Sequence, residues 1–391
     1  MPARPGRASN YLILEASMEN GNLAPSQDAV RAWHAQGKKA LGVICCHVPP
    51  ELLHALDILP VRLRATGCAD ANGAETWMTS FSCSYARSIL QYLMDGTYAL
   101  DGIVASDGCC MATRLFDNYS YLSEKEGKKP FLYFMNTPRV CDDLSTHFYT
   151  EELRLLAREL EALSGNKLTE EKLRASIALY NEARSLTKEM YELRKAAHPV
   201  LTGEEALRVT LSFTDLPVED YIAMMKEKLA ELRTRQPLEG YRARFVVVGS
   251  ALDDPNYLRV IEEKGGLVVG DVLCYGSRCF DSNCELTDGD ALSSLAHYYL
   301  ERLVCPRMVD SRVELHHEVV RVAKECGADG VIYEKMQNCE VWGAENFLLN
   351  GDLEKAELPL LVLQREEALS NEGQLAIRAE AFVEMVEKEG R

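Results

Sequence analysis

Short apolar runs alternate with stretches of helical periodicity in the first part of the chain. The apolar runs are bounded by Pro, Gly or Asp and have the length of buried strands: 41–45, 59–63, 102–105 and 131–135. Between them, the segments 49–58 and 84–93 repeat apolar residues every three or four positions, as amphipathic helices do. Strands that alternate with helices in this way predict an α/β unit with a parallel sheet.

The pattern changes near residue 150 and changes back near residue 240. From 150 to 235 the chain is rich in Glu, Leu, Lys, Ala and Arg at helical spacing, which predicts a region made only of helices. Strand-like runs then return, at 245–249, 266–272, 330–333 and 359–363. A chain of 391 residues is also long enough for more than one core. We therefore predict an N-terminal α/β domain over 1–150, a helical connecting region over 151–240 and a C-terminal α/β domain over 241–391.

Charge and composition narrow the possible functions. The formal net charge is −17, from 43 basic and 60 acidic residues, which disfavours broad contacts with nucleic acid or anionic membranes but allows a local basic pocket. No apolar run approaches the roughly 18 residues of a membrane-spanning helix. The apolar part of the first segment, MPARPGRASNYLILEASMEN, is also shorter than the roughly 7–15 residues of a secretory signal. We therefore expect a cytoplasmic protein.

Several common catalytic motifs are missing from the sequence. It contains no G-x-G-x-x-G loop, no P-loop, no H-E-x-x-H, no G-x-S-x-G and no C-x-x-C. Dinucleotide binding, nucleotide hydrolysis, paired-histidine zinc sites, serine acyl transfer and thioredoxin-like chemistry therefore have no support. His316 and His317 are adjacent and cannot share a helix face, so surface or capping roles are expected for them.

Several of the thirteen cysteines fall in a recurring type of position. An odd number of cysteines in a chain without a signal argues against a disulfide framework, and most buried cysteines simply act as small apolar residues. However, Cys45 and Cys109 end strands, Cys83 begins a helix, and Cys274 and Cys339 follow strands of the second unit. Ligands of open α/β sheets lie beyond the carboxyl ends of the strands, and helix N-termini stabilise thiolates. Soft thiolates from scattered loops of this kind suit an iron–sulfur cluster.

Five pieces of the sequence carry a family resemblance. The resemblance covers nearly everything after about residue 30. The five pieces are CCHVPPELLHAL with LPVRL (45–56 and 59–63), CSYAR (83–87), Cys109 with RLFDN (114–118), Asn338-Cys339 and GQLAIRAEAF (373–382). The chain resembles the family of 2-hydroxyacyl-CoA dehydratase subunits, benzoyl-CoA reductase subunits and double-cubane cluster proteins. This resemblance implies two Rossmann-like (flavodoxin-like) domains with an iron–sulfur cluster in the cleft between them.

The resemblance also implies a ligand set and partners. Members of this kind hold a [4Fe-4S] cluster by three cysteines, and the matching positions are Cys83, Cys109 and Cys339. Three ligands leave one iron open for the thioester carbonyl of an acyl-CoA, which is reduced by one electron. The electrons come from a separate ATP-hydrolysing activator that carries its own [4Fe-4S] cluster. A homologous second subunit or a homodimer is expected as well. Relatives commonly carry Asp at the position of Cys110, which is interpreted here as a neighbour of the cluster or a filler.

Two alternatives remain open. Cys45, Cys274 and Cys305 also stand at family-like positions, with Cys279 able to replace Cys274, so a double-cubane [8Fe-9S] reductase of small molecules is the first alternative. The second is a non-catalytic scaffold subunit whose cysteines belong to its core. We expect the first three thiols to converge on one cavity, lined also by Cys45 and by at least one of the others. Four cysteines have no supporting context and are interpreted as structural: Cys68, Cys141, Cys284 and Cys326. No catalytic side chain is assigned beyond these thiols.

Overall fold

The computed structural model describes residues 25, 27–287, 289–302, 305–388 and 390. The N-terminal segment 1–20, on which the expectation of a cytoplasmic protein depends in part, lies outside these residues. Among the helices of the described ranges, none combines the length and the apolar character needed to cross a membrane.

A four-stranded parallel sheet forms the centre of the N-terminal unit. In chain order the elements are α1 (Asp28–His34), β1 (Lys39–Ile44), α2 (Pro50–His54), β2 (Ile58–Arg62), α3 (Asn72–Glu75), α4 (Ser84–Met94), β3 (Gly102–Ser106), α5 (Cys110–Lys125) and β4 (Phe131–Met135). The strand order is β2-β1-β3-β4, with every pair parallel. β1 and β3 are buried almost throughout, which explains why their sequences are continuous apolar runs rather than alternating ones.

The helix predicted over 49–58 is shorter in the structure. α2 ends at His54, and Asp57 adopts a left-handed backbone with φ of +61° just before β2. Ile58, the last apolar position of the predicted helix, is therefore the first residue of a strand.

Four helices follow the first sheet: α6 (Asp143–Ser164), α7 (Glu170–Lys195), α8 (Gly203–Asp215) and α9 (Val218–Leu232). The first three helices are capped at their N-termini by Asp142, Thr169 and Thr202. Each of these side chains accepts a hydrogen bond from the backbone N–H three residues later. Gly165 caps the C-terminus of α6, and its φ of +72° suits glycine. The segment predicted to be helical is thus filled by helices.

The C-terminal unit repeats the architecture of the first. Its elements are β5 (Ala243–Gly249), α10 (Asn256–Glu262), β6 (Gly266–Val272), a 3₁₀ turn (Ser277–Cys279), α11 (Ala291–Glu301), α12 (Arg312–Glu325), β7 (Gly330–Met336), α13 (Glu345–Lys355), β8 (Leu360–Arg365) and α14 (Glu372–Lys388). The strand order is β6-β5-β7-β8, again parallel throughout. The predicted α/β class with two parallel sheets is therefore confirmed.

One helix of the last third of the chain packs on the N-terminal unit. Leu295 and Tyr299 of α11 belong to the same hydrophobic core as Leu41 and Val43 of β1. The N-terminal sheet is thus covered partly by a segment that is distant in sequence. The boundaries at 150 and 240 stay a prediction.

The loops that follow the strands of the two units meet. The Asp253 carboxylate, after β5, accepts hydrogen bonds from the backbone N–H groups of Ala65 and Thr66, at 2.5 and 3.3 Å. The Tyr275 hydroxyl, after β6, donates to the carbonyl oxygen of Leu63 at 2.6 Å. Side chains at the carboxyl ends of both sheets can therefore contribute to one site.

The surface or capping role expected for His316 is wrong. This residue of α12 is 3% exposed, and its two ring nitrogens lie 2.6 Å from carboxylate oxygens of Glu345 and Asp352 on α13. It therefore links two neighbouring helices, whereas His317 is exposed.

Candidate metal centre

Three cysteines from three loops pack against one apolar cluster, and we call Cys83, Cys109 and Cys339 the first thiol set. Cys83 immediately precedes α4, Cys109 immediately precedes α5, and Cys339 lies in the loop after β7. All three contact the hydrophobic core that includes Met336. The Cys109 and Cys339 thiols lie close enough to Cys83 to add to the rise of its pKa on burial, and the Cys339 thiol does the same for Cys109. Both α/β units therefore contribute to the set.

A backbone N–H group points at one of these sulfurs, because the Cys109 Sγ accepts a hydrogen bond from the N–H of Ala112 at 3.3 Å. Burial raises the pKa values of Cys83 and Cys339, and the backbone N–H groups of Ala86, near Cys83, and of Val341 and Trp342, near Cys339, act in the opposite direction. Hydrogen bonds of this kind stabilise thiolates and tune iron–sulfur clusters.

Burial keeps these three thiols protonated when nothing is bound to them. It raises the pKa of Cys109 to about 12 and also raises the pKa values of Cys83 and Cys339. A metal must therefore displace three protons, as soft metal ions do when they bind thiols.

Asn338 joins two of the loops that carry the first thiol set. Asn338, the residue before Cys339, has a φ of +60°, a left-handed conformation that asparagine tolerates better than most residues. Its side-chain amide donates a hydrogen bond at 3.1 Å to the carbonyl oxygen of Ser80, three residues before Cys83. The loops that carry two of the three sulfurs are thus joined directly.

Within the described ranges, no three His, Cys, Asp or Glu side chains surround a position for a single metal ion. A cubane differs from a single ion because each of its thiolates binds a different iron. Three cysteines from three loops, gathered at one apolar cluster without meeting at one point, fit that kind of group.

Five further cysteines form a second thiol set, namely Cys45, Cys46, Cys274, Cys279 and Cys305. The Cys279 Sγ donates to the carbonyl oxygen of Cys274 at 2.9 Å, and Arg62 donates to the Cys279 Sγ at 3.3 Å. A hydrogen bond from the Cys45 thiol, together with the positive charge of Arg62, lowers the pKa of Cys46. Cationic surroundings thus distinguish this set.

The two thiol sets adjoin at Gly108. A Cβ atom built on Gly108 would lie 2.8 Å from the Cys45 Sγ, so the Cys45 sulfur rests against the backbone just before Cys109. Cys45 itself has a φ of +76°, which is unusual for a residue with a side chain and typical of functional sites. Cys305 is near both Cys45 and Cys339 and extends the contact between the sets.

A cleft with about 610 Å³ of empty space, which includes its solvent-filled mouth, opens beside the second thiol set. Cys45, Cys46 and Cys279 line it, together with Arg62 and Arg302. Its lining does not include Cys83, Cys109 or Cys339, which differs from the expectation of one cavity for both sets.

Sequence reasoning missed Cys46 and the arginines. A pair of cysteines at the end of a strand was the available signal for Cys46. The arginines carried none, because only the folded chain brings Arg62 and Arg302 to the lining of the same cleft. Cys110 is exposed and donates to the Glu340 carboxylate. Of the cysteines interpreted as structural, three are buried (Cys68, Cys284 and Cys326) and Cys141 is half-buried. The ligand roles of the first thiol set stay a prediction.

Comparison with known proteins places these features in a family context. The family model described as 2-hydroxyglutaryl-CoA dehydratase, D-component, matches residues 45–386. Lactoyl-CoA dehydratase subunit beta of Anaerotignum propionicum is 24% identical over 353 residues, which cover 90% of this chain and 92% of that protein. The (R)-phenyllactyl-CoA dehydratase beta subunit of Clostridium sporogenes is 22% identical over 361 residues, at 92% and 95% coverage. A benzoyl-CoA reductase subunit of Thauera aromatica is 26% identical over 355 residues, at 89% and 90%. The matches span both α/β units.

Proposed function

Because the chain belongs to the 2-hydroxyglutaryl-CoA dehydratase, D-component, family, we propose that it is the iron–sulfur subunit of an enzyme of the 2-hydroxyacyl-CoA dehydratase or benzoyl-CoA reductase type. In this proposal Cys83, Cys109 and Cys339 hold a [4Fe-4S] cluster. The observation that carries it is the packing of three cysteines from both α/β units against one hydrophobic core, with Cys83 buried, Cys109 and Cys339 half-buried, and a backbone N–H donor on the Cys109 sulfur. The strand order 2-1-3-4 in each sheet supports the flavodoxin-like arrangement expected for such subunits.

The cluster would supply single electrons, and one iron without a protein ligand, for the ATP-driven reduction of an acyl-CoA thioester. The chain's own part is to desolvate the three thiols, to donate N–H bonds to the sulfurs and to keep water from the apolar side of the site. A separate ATP-hydrolysing protein with its own [4Fe-4S] cluster is the proposed electron donor, because this chain carries no P-loop. The relatives above are named as subunits, which supports a partner subunit. Reduced thiols suit the cytoplasm, where we place the protein.

A second candidate is a double-cubane [8Fe-9S] reductase of small molecules. The contact of Cys45 with Gly108 favours it, because it brings the second thiol set directly against the first. In this candidate Cys45, Cys274 and Cys305 hold the second cubane, and Cys46 or Cys279 is an additional thiol nearby.

Iron and sulfide quantitation on anaerobically purified chain tests both candidates. We expect about four irons per chain for the single cluster, whereas about eight would favour the double cubane. The protein should be brown and should bleach in air. A colourless, iron-free chain after reconstitution would overturn the proposal and favour a scaffold subunit. Turnover of an acyl-CoA should require the activator and ATP, and turnover with a chemical reductant alone would contradict the dehydratase assignment.

A further inference from the structure

The loop that carries Cys339 is attached to the N-terminal unit on both sides of that residue. Asn338, the residue before it, donates a hydrogen bond to the backbone of the loop of Cys83. Glu340, the residue after it, binds the start of α5: its carboxylate accepts the backbone N–H of Cys110 at 2.6 Å and a second hydrogen bond from the Cys110 thiol. Each neighbour of Cys339 is therefore bonded to a different loop of the N-terminal unit.

The Glu340 carboxylate adjoins two members of the first thiol set. Glu340 follows Cys339 directly in the chain, and its hydrogen-bond partner Cys110 follows Cys109 directly. Burial is the main cause of the raised pKa of Cys109, and the Glu340 carboxylate adds to that rise, as a negative charge near a thiol does. The acceptor that joins the two loops is thus also a charged neighbour of the sulfurs.

The same contact places an anion at the start of a helix. Cys110 is the first residue of α5, so its N–H has no partner inside the helix, and the Glu340 carboxylate supplies one. The positive end of the helix dipole favours a carboxylate at this position. Within the described ranges, no Lys or Arg side chain lies within the 4.0 Å of an ion pair from Glu340, so no salt bridge cancels its charge.

We propose that Glu340 is a positioning residue of the cluster site, which clamps the Cys339 loop to the Cys109 loop and holds a negative charge that lowers the reduction potential of the cluster. The inference rests on the function proposed above and specifies how the chain regulates the reducing power of that site. Each electron adds a negative charge to a cluster, so a nearby carboxylate opposes its reduction. A cluster of lower potential is the stronger electron donor once it is reduced.

The charge is tested by the reduction potential of the anaerobically purified full chain, from a redox titration followed by EPR. Low salt is needed, because Glu340 is exposed and salt screens exposed charges. In Glu340→Gln (E340Q) the amide oxygen can still accept the Cys110 N–H, but the charge is gone. We expect the ratio of reduced to oxidised cluster at a fixed potential to rise about tenfold, or about 59 mV for one electron. The matched control is E354Q, at an exposed position on α13, which should keep the wild-type potential.

The clamp is tested without any cluster, by alkylation of the iron-free chain with iodoacetamide. Glu340→Ala (E340A) loses the acceptor, so the Cys339 thiol should react about fivefold faster than in the wild type, because a hydrogen bond that holds its loop is gone. E340Q keeps an acceptor and should react as the wild type does. The Cys326 thiol of the same molecule is the internal reference, since general loosening of the C-terminal unit would speed the reaction of both thiols.

Each part of the proposal has its own contradicting result. Unchanged alkylation of Cys339 in E340A, or equal acceleration at Cys326, would overturn the clamp. A potential of E340Q equal to or lower than that of the wild type would overturn the effect of the charge. A wild-type chain that binds no iron after reconstitution would contradict the proposed function, and the role of the charge with it, while alkylation of the iron-free chain would still decide the clamp.

Discussion

In the first thiol set the Cys109 sulfur accepts a hydrogen bond from a backbone N–H group, whereas in the second set the Cys279 sulfur accepts one from Arg62. The residue type is the same, but the charge of the donor differs. A peptide dipole stabilises a thiolate without adding a net charge to the site. In the second set a hydrogen bond from the Cys45 thiol, together with the positive charge of Arg62, lowers the pKa of Cys46. The comparison teaches that cysteines alone do not identify a ligand set, because the charges around them differ between the two sets.

Buried carboxyl groups pair with a cation next to the first thiol set. Glu334 and Glu367 are at most 3% exposed, and Arg365 pairs with both of them. Burial raises the pKa of Cys83 and the Glu367 carboxyl adds to that rise, whereas the charge of Arg365 acts against the rise at Cys339. Burial raises the pKa values of Glu334 and Glu367 as well. An arginine with its own buried carboxyl groups therefore adjoins the first set.

The largest effect is expected from removing one sulfur of the first set. Cys339→Ala should abolish most of the iron bound after anaerobic reconstitution, because two remaining thiols cannot hold a cubane that needs three. Cys326→Ala is the matched control, since Cys326 is also in the C-terminal unit and belongs to a hydrophobic core against which Cys339 packs as well, but it is part of neither thiol set. Iron per chain, measured on folded material, checks this. If both variants lost iron to the same extent, the first thiol set would not be the ligand set.

The acidic surroundings of the first set should appear as a pH dependence of stability. Burial raises the pKa of Glu334 to about 7 from the usual 4.5, while Arg365 acts in the opposite direction. The unfolded chain therefore releases this proton at lower pH than the folded chain does. Between these two values the folded state binds more protons, so the free energy of unfolding should fall as the pH rises, by at most roughly 3 kcal/mol.

Glu334→Gln should remove this part of the pH dependence, because the amide stays neutral. Urea unfolding of iron-free chain at pH values from 4.5 to 7 measures it. Glu384→Gln, at an exposed position on α14, is the control and should keep the wild-type slope. An unchanged slope in Glu334→Gln would show that Glu334 is ionised in the folded protein and that the first set is less acidic than inferred.

The sequence was sufficient for the sheets and for most cysteines of both thiol sets, and insufficient for Cys46 and the arginines. Apolar runs bounded by Gly, Pro or Asp predicted strands because a strand buried on both faces must be apolar. Position at the ends of strands and the starts of helices singled out cysteines of both sets, and the family resemblance then separated Cys83, Cys109 and Cys339 from the others. No sequence rule assigns the left-handed backbone of Cys45 to a cysteine. Only the folded chain brings Arg62 and Arg302 to one cleft, which local patterns do not encode.

The smallest effect is expected from Gly108→Ala, which tests whether the two thiol sets are in contact. Gly108→Ala places a Cβ atom 2.8 Å from the Cys45 Sγ and 3.1 Å from the Cys45 Cβ, and the left-handed backbone of Cys45 leaves little room to move away. We expect a loss of about 1–3 kcal/mol in the free energy of unfolding, as in other overpacked sites. Gly351→Ala, inside α13 with no atom within 4 Å of the new Cβ, should instead stabilise the chain by about 1 kcal/mol.

Cys45→Ala removes the sulfur, so the double variant with Gly108→Ala should recover part of the lost free energy of unfolding. Urea unfolding of the wild type, the two single variants and the double variant gives the coupling between the two positions. Additive effects in this cycle would show that the Cys45 sulfur does not rest against Gly108, and the two thiol sets would then be separate sites.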